Sequence, residues 1–155
     1  MISKAQLQSK IKELESELKT FKEQLNNYKE VTLETAVPGD VLEDGSIVLK
    51  KENGLALLVA PKSTEVKCQW SKEFSEVFDK LKEHGFNPSQ WFVPTKEQLK
   101  LANSSIRHHF SSGYYWSSTE VSSTIACSQD FGDGTITSRI KTNSPRVRAF
   151  RCVTY

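Results

Sequence analysis

The sequence has little that would commit it to a membrane, a metal or a polyanion. No stretch approaches the roughly 20 consecutive apolar residues that a bilayer requires. The opening Met1-Ile2-Ser3-Lys4-Ala5-Gln6 passes into Lys, Glu and Gln without the apolar segment of an export leader. A chain neither exported by a leader nor inserted in a membrane is expected. Charge of one sign is also missing: 21 basic against 19 acidic residues leave a net +2, too weak a field to make nucleic acid the default partner. Cysteine is scarce. Cys68, Cys127 and Cys152 lie far apart, lack metal-site spacing, and by their odd number leave at least one thiol unpaired within a chain. Buried thiols in a protein made in a reducing cytosol are expected, with a Cys127 to Cys152 bridge open if the two lie on neighbouring strands.

Signatures of chemistry are lacking too. Asp130, Asp133 and the glycines beside them have neither the alternating oxygen ligands nor the closing Glu of an EF-hand, and read as a hairpin turn. Ser117 and Ser118 stand outside any Gly-x-Ser-x-Gly elbow, and no glycine-rich phosphate loop occurs. The tandem His108-His109 would point in two directions on a helix or a strand, with no Cys or third His beside it. The expectation is no metal, no cofactor and no enzymatic activity.

What is present begins with a heptad seam. Leu7, Ile11, Leu14, Leu18, Phe21, Leu25 and Tyr28 alternate spacings of four and three without an error. With Ile11, Leu18 and Leu25 at a, the facing g and e' pairs include Lys10 with Glu15 and Glu17 with Lys22, opposite in sign as a parallel coil requires. The flanking positions are almost wholly polar, so the stripe is narrow, and narrow stripes make coils rather than faces packed on a domain. Phe21 and Tyr28 at d need more room than Leu, which favours three strands over two. A helix of about 28 residues at about 1.5 Å each gives a stalk on the order of 42 Å. Residues 1–35 are read as the oligomerisation stalk and 36–155 as a head.

The head opens with turn chemistry at Val37-Pro38-Gly39-Asp40, then hairpin signals at Asp44-Gly45 and Asn53-Gly54, the latter leading into the apolar strand Leu55 to Ala60. A helix is expected from Ser71 to His84, stopping at Gly85. A second begins after Thr95, which with Gln98 completes a capping box, runs to about Ala102 and dissolves in Asn103-Ser104-Ser105. Beyond Ser111 the composition turns to β, with strands at 114–119, 125–131, 135–141 and 147–154. In Tyr114-Tyr115-Trp116-Ser117 alternation puts Trp116 in the core and Tyr115 near solvent.

The order Gly54-Leu55 to Ala60-Pro61, Gln69-Trp70, Trp91-Phe92-Val93-Pro94-Thr95-Lys96-Glu97-Gln98-Leu99, Tyr115-Trp116-Ser117-Ser118-Thr119-Glu120, Ala126 to Phe131, Gly134 and Val147-Arg148-Ala149-Phe150-Arg151 resembles a C-type-lectin-like domain. It is similar to the bacterial and phage type found at the C-terminus of collagen-like adhesins, over roughly residues 39–153. The resemblance implies an α+β fold with antiparallel strands and two helices, both chain ends at one pole and irregular loops at the other. It also implies a place at the tip of a trimeric fibre that binds surfaces, glycans or proteins. The Glu-Pro-Asn and Trp-Asn-Asp motifs of calcium-dependent sugar binding are absent. A more distant similarity is to the formylglycine-generating enzymes, whose closely spaced cysteine pair Cys127 and Cys152 do not match.

Joined to the stalk, the resemblance implies a homotrimeric bacteriophage fibre or spike-type virion protein, assembled in the host cytoplasm. Its partners would be its own copies, other virion proteins and a host surface glycan or protein. Its outward loops would be 120–124, 130–135 and 142–146, with Tyr114, Tyr115, Ser122, Ser123, Thr124, Gln129, Asp133 and Arg146 as ligand-binding candidates. The alternatives are a purely structural decoration or joint of the virion and, more remotely, an enzyme on the formylglycine-generating fold.

Overall fold

A computed structural model describes residues 1–27 and 32–155 of the chain. The protein is α+β, and it divides into two compact units, Met1–Glu30 and Val31–Tyr155. In the first unit, helix α1 (Lys4–Asn27) starts from a reciprocal cap. Ser3 Oγ accepts from the Gln6 amide at 3.2 Å and Gln6 Oε1 accepts from the Ser3 amide at 2.7 Å, which satisfies two otherwise orphaned donors. Leu7, Ile11, Leu14, Leu18, Phe21 and Leu25 are all exposed, from 48% at Leu7 to 71% at Leu25. Tyr28 lies outside the described residues.

The second unit holds two sheets. Strands β1 (Ile47–Glu52), β2 (Leu55–Val59) and β8 (Phe150–Thr154) form an antiparallel sheet in the order β1-β2-β8. The β1 to β2 turn places Asn53 at φ 52° and Gly54 at φ 75°, the paired positive values that a two-residue hairpin needs and that Asn-Gly supplies at least cost. Central β2 is covered on both sides: Val59 joins a cluster with Leu99, Ile106 and Phe150, while Ala56 and Leu58 join Ala36 and Val48. The head therefore reaches back to Leu33 and Ala36, which pack with this second cluster. Lys51 secures the same place. Its Nζ donates to the carbonyls of Leu33 (2.7 Å), Glu34 (3.1 Å) and Ala36 (2.9 Å), and stands 4.2 Å from the Tyr155 ring centroid.

The larger sheet combines β3 (Val66–Lys67), β4 (Tyr114–Glu120), β5 (Ile125–Asp130), β6 (Ile136–Ile140) and β7 (Arg146–Val147) in the order β3-β7-β4-β5-β6. Helix α2 (Ser75–Glu83) contributes Val77 and Leu81 to the cluster around Trp116, and α3 (Lys96–Ile106) contributes Leu99, Ala102 and Ile106 to the cluster around Tyr115. Central β4 is thus buried on both faces, as a strand covered by elements on each side must be. That corrects the placement of Tyr115 near solvent: Tyr115 and Trp116 are each 0% exposed. The indole Nε1 donates to the Cys68 carbonyl at 2.9 Å, and the Tyr115 hydroxyl accepts from the Ser111 amide at 3.0 Å and donates to Glu65. Burial, reinforced by Glu65, pushes the Tyr115 phenol well up, so the phenol stays protonated as the donor.

Three further expectations are corrected. Helix α2 begins at Ser75 rather than Ser71, because Ser71 Oγ accepts from the Phe74 amide and Phe74 takes a left-handed conformation at φ 44°. Helix α3 does not dissolve at Asn103-Ser104-Ser105; burial of Leu99, Ala102 and Ile106 on one face carries it to Ile106 against weak local propensity. The last expected strand is two strands, β7 and β8. Between them the chain passes from one sheet to the other at Arg148-Ala149, where buried Arg148 donates Nε to the Ala60 carbonyl (2.6 Å) and Nη1 to the His109 carbonyl (2.6 Å). Glu65 faces that guanidinium at 3.4 Å. All three cysteines are free thiols; burial and then Glu76 push the Cys68 thiol up to about 11, leaving it inert at neutral pH.

Candidate functional site

The eight residues nominated from the sequence do not form one site. Ser122, Ser123 and Thr124 are exposed in the β4 to β5 hairpin, where Lys141 clamps the turn through Glu120 (2.9 Å) and the Ser123 carbonyl (3.1 Å). Asp133 sits in the β5 to β6 turn, accepting from the Thr135 amide (2.9 Å) and hydroxyl (2.7 Å). The amide bond, more than the hydroxyl, holds its carboxyl below the usual range. Tyr115 and Gln129 are buried and cannot meet a ligand. Alternation misplaced Tyr115 because it presumes one wet face, and β4 and β5 have none over this stretch.

Tyr114 and Arg146 do come together. Strand β7 lies between β3 and β4, which pairs Arg146 antiparallel with Lys67 and parallel with Tyr115, next to Tyr114. The 141–145 segment starts at the β4 to β5 hairpin, where the Lys141 amide donates to the Thr124 carbonyl, and ends beside β3, where Pro145 accepts from the Cys68 amide. On the way it forms one wall of a groove of about 430 Å³ lined by Lys67, Tyr114, Arg139, Asn143, Ser144 and Arg146, with Gly113 and Pro145 at its edge.

The groove is electropositive by construction. Lys67 and Arg146 are directly opposite on antiparallel strands, an arrangement that repels when the charges are alike. The Arg139 guanidinium carbon stands over the Tyr114 ring, 3.7 Å from its centroid, a cation–π contact that steadies the cation without neutralising it. Its Nε is buried with no hydrogen-bond partner. Arg146 is steadied by the Ser112 carbonyl (3.4 Å) and by Glu65 (3.9 Å), but Glu65 also serves Arg148 and Tyr115. None of the groove's lining residues is acidic. Gly113, at φ 118°, adopts a backbone that side chains resist, and a Cβ there would stand 3.4 Å from Arg146 Nη1.

Reading from the sequence found Tyr114 and Arg146 but missed Lys67, Arg139 and Asn143. For Arg139 a signal existed: in Ile136-Thr137-Ser138-Arg139-Ile140 alternation sets Arg139 on the face of Thr137, and the β5 register sets Thr137 opposite Ser128, itself opposite Trp116. Lys67 had none, since a two-residue strand carries no periodicity. No protein-family model matches this chain, and a search of curated proteins gives no match.

Proposed function

We propose that the protein is a homotrimeric virion protein of a bacteriophage, of the fibre or spike kind. Helix α1 is its parallel coiled-coil stalk, and a C-type-lectin-like head attaches to the host surface. The observation that carries the reading is the uncovered seam of α1: six large apolar side chains at heptad spacing, each about half exposed or more. A stripe this regular and this bare is stabilised by copies of itself. Support for an attachment head comes from the layout of the second unit. Leu33 and Tyr155 meet at Lys51, so both ends of the head lie together. Strands β7 and β8, with only Arg148 and Ala149 between them, lead from there to Arg146 at the groove. Three copies would let weak contacts act together.

The test is retention of fluorescently labelled protein on a panel of bacterial strains. The attachment reading expects at least one strain to retain the wild-type chain, and the Leu14→Asp/Leu18→Asp variant to wash off faster. Retention by none would favour a decoration or joint that binds only other virion proteins.

A further inference from the structure

We infer that the groove between β6, β7 and the 141–145 segment binds an acidic saccharide, its anionic group held between Arg139 and Arg146 and its hydroxyls by Asn143 and Ser144. The inference rests on the attachment reading and names the ligand class for it. Three independent features lead to it. Lys67 and Arg146 form a cross-strand pair of like charge, an arrangement that repels. Arg139 has no carboxylate or carbonyl partner among the described residues; its guanidinium stands over the Tyr114 ring, and its Nε is buried and unbonded. Glu65, the acid that pairs with Arg146, faces Arg148 at 3.4 Å and Arg146 only at 3.9 Å. Its charge therefore falls on the buried network behind the groove, not in the groove.

These positions are also pre-set for an anion. Tyr114 steadies the Arg139 guanidinium, Ser112 and Glu65 brace Arg146, and both side chains are already held when a ligand arrives. Guanidinium groups fit the two oxygens of a carboxylate or phosphate. A volume of about 430 Å³ lies within the range of small-molecule sites, and exposed Asn143 and Ser144 offer the donors and acceptors that sugar hydroxyls need. A carboxylate and a phosphate ester share this chemistry, so the ligand is either a uronic-acid saccharide or a phosphorylated one.

The test is calorimetric or NMR titration of the full-length protein with trigalacturonate, glucose 6-phosphate, maltotriose and inorganic sulfate. One of the two acidic sugars is expected to bind, more tightly than neutral maltotriose and than sulfate, and more weakly as salt is raised. Which one binds identifies the source of the anion. Arg139→Gln and, separately, Lys67→Gln should each lower that affinity by about tenfold, the worth of one charge-assisted contact, with the thermal midpoint checked to show that the head is folded. Lys67 is exposed at the sheet edge, so its variant keeps the test open if Arg139→Gln fails to fold. Equal binding of acidic and neutral sugars, binding of sulfate as tight as either sugar, or full affinity in both folded variants would overturn the inference. The two proposals fail separately. Cells that retain wild type and Arg139→Gln alike, with no saccharide bound, leave attachment standing and remove the groove's role. Saccharide binding without retention on any strain does the reverse.

Discussion

Helix α1 and the second unit spend their apolar residues in opposite ways. In α1 every large apolar residue from Leu7 to Leu25 is exposed, and the helix is held by its backbone, its Ser3 to Gln6 cap and an exposed Lys10 to Glu13 ion pair. Such a pair is worth little, and most helical stability in proteins comes from packing an apolar face rather than from propensity. In the head, Trp116, Tyr115, Phe150, Leu81, Leu99 and Ile106 are nearly or wholly buried, in clusters closed within the one chain. The head is complete as a single copy. The helix carries a heptad stripe left exposed, whose burial the proposal above assigns to other copies.

The largest effect is expected where the helix is broken. Leu14→Asp with Leu18→Asp would place charges against apolar neighbours in a coil, at a cost of several kcal/mol per chain. Light scattering should then give the mass of one chain, while the head keeps the wild-type melting midpoint. A head that unfolded along with the coil would erase the contrast between the regions.

Breaking the head instead should leave the helix pattern untouched. Trp116→Ala removes a wholly buried indole from among Val77, Leu81, Trp91 and Val147, and should lower stability by about 3–5 kcal/mol in denaturant titration. A melt like that of wild type would place the indole outside the core. A smaller loss is expected from Tyr115→Phe, which keeps the ring against Phe110 and Phe131 but leaves Glu65 and the Ser111 amide without the hydroxyl. About 1–3 kcal/mol is the cost of stranding such groups, and an unchanged stability would show that water replaces the phenol.

The smallest effect is a pH dependence. Desolvation, then the neighbouring His108, hold the His109 imidazole below its ordinary 6.5, with the Gly39 carbonyl, to which Nε2 donates at 3.3 Å, opposing them. A depressed folded-state value means that the unfolded chain binds the proton first. The contribution is therefore present above about pH 6.5 and declines as pH falls toward the folded value. The head's melting midpoint should fall slightly as pH drops from 7.5 toward 5.5, and His109→Gln should flatten that slope. The carboxyls held low, Asp133 and Glu120, lose their contributions only in a more acid window.

Much of the architecture was legible where local pattern and tertiary need agree. Asn53-Gly54 demanded its hairpin, and Thr95 with Gln98 formed the expected capping box through reciprocal bonds of 3.2 and 2.9 Å. Pattern failed where packing overrode it. Asn103-Ser104-Ser105 stays helical because Ile106 is needed in the core, and Tyr115 is buried because β4 lies mid-sheet with cover on both faces. The groove was the least legible part. Lys67, Tyr114, Arg139 and Arg146 come from four strands, and only the register β3-β7-β4-β5-β6 sets them side by side.

The most direct test of the account is the solution mass of the wild-type chain by sedimentation equilibrium over a wide concentration range. The account predicts three times the 17.6 kDa chain mass, falling to a single chain in the Leu14→Asp/Leu18→Asp variant. A single-chain mass for the wild type at every concentration would contradict it, and a two-chain mass would keep the coil but overturn the trimer.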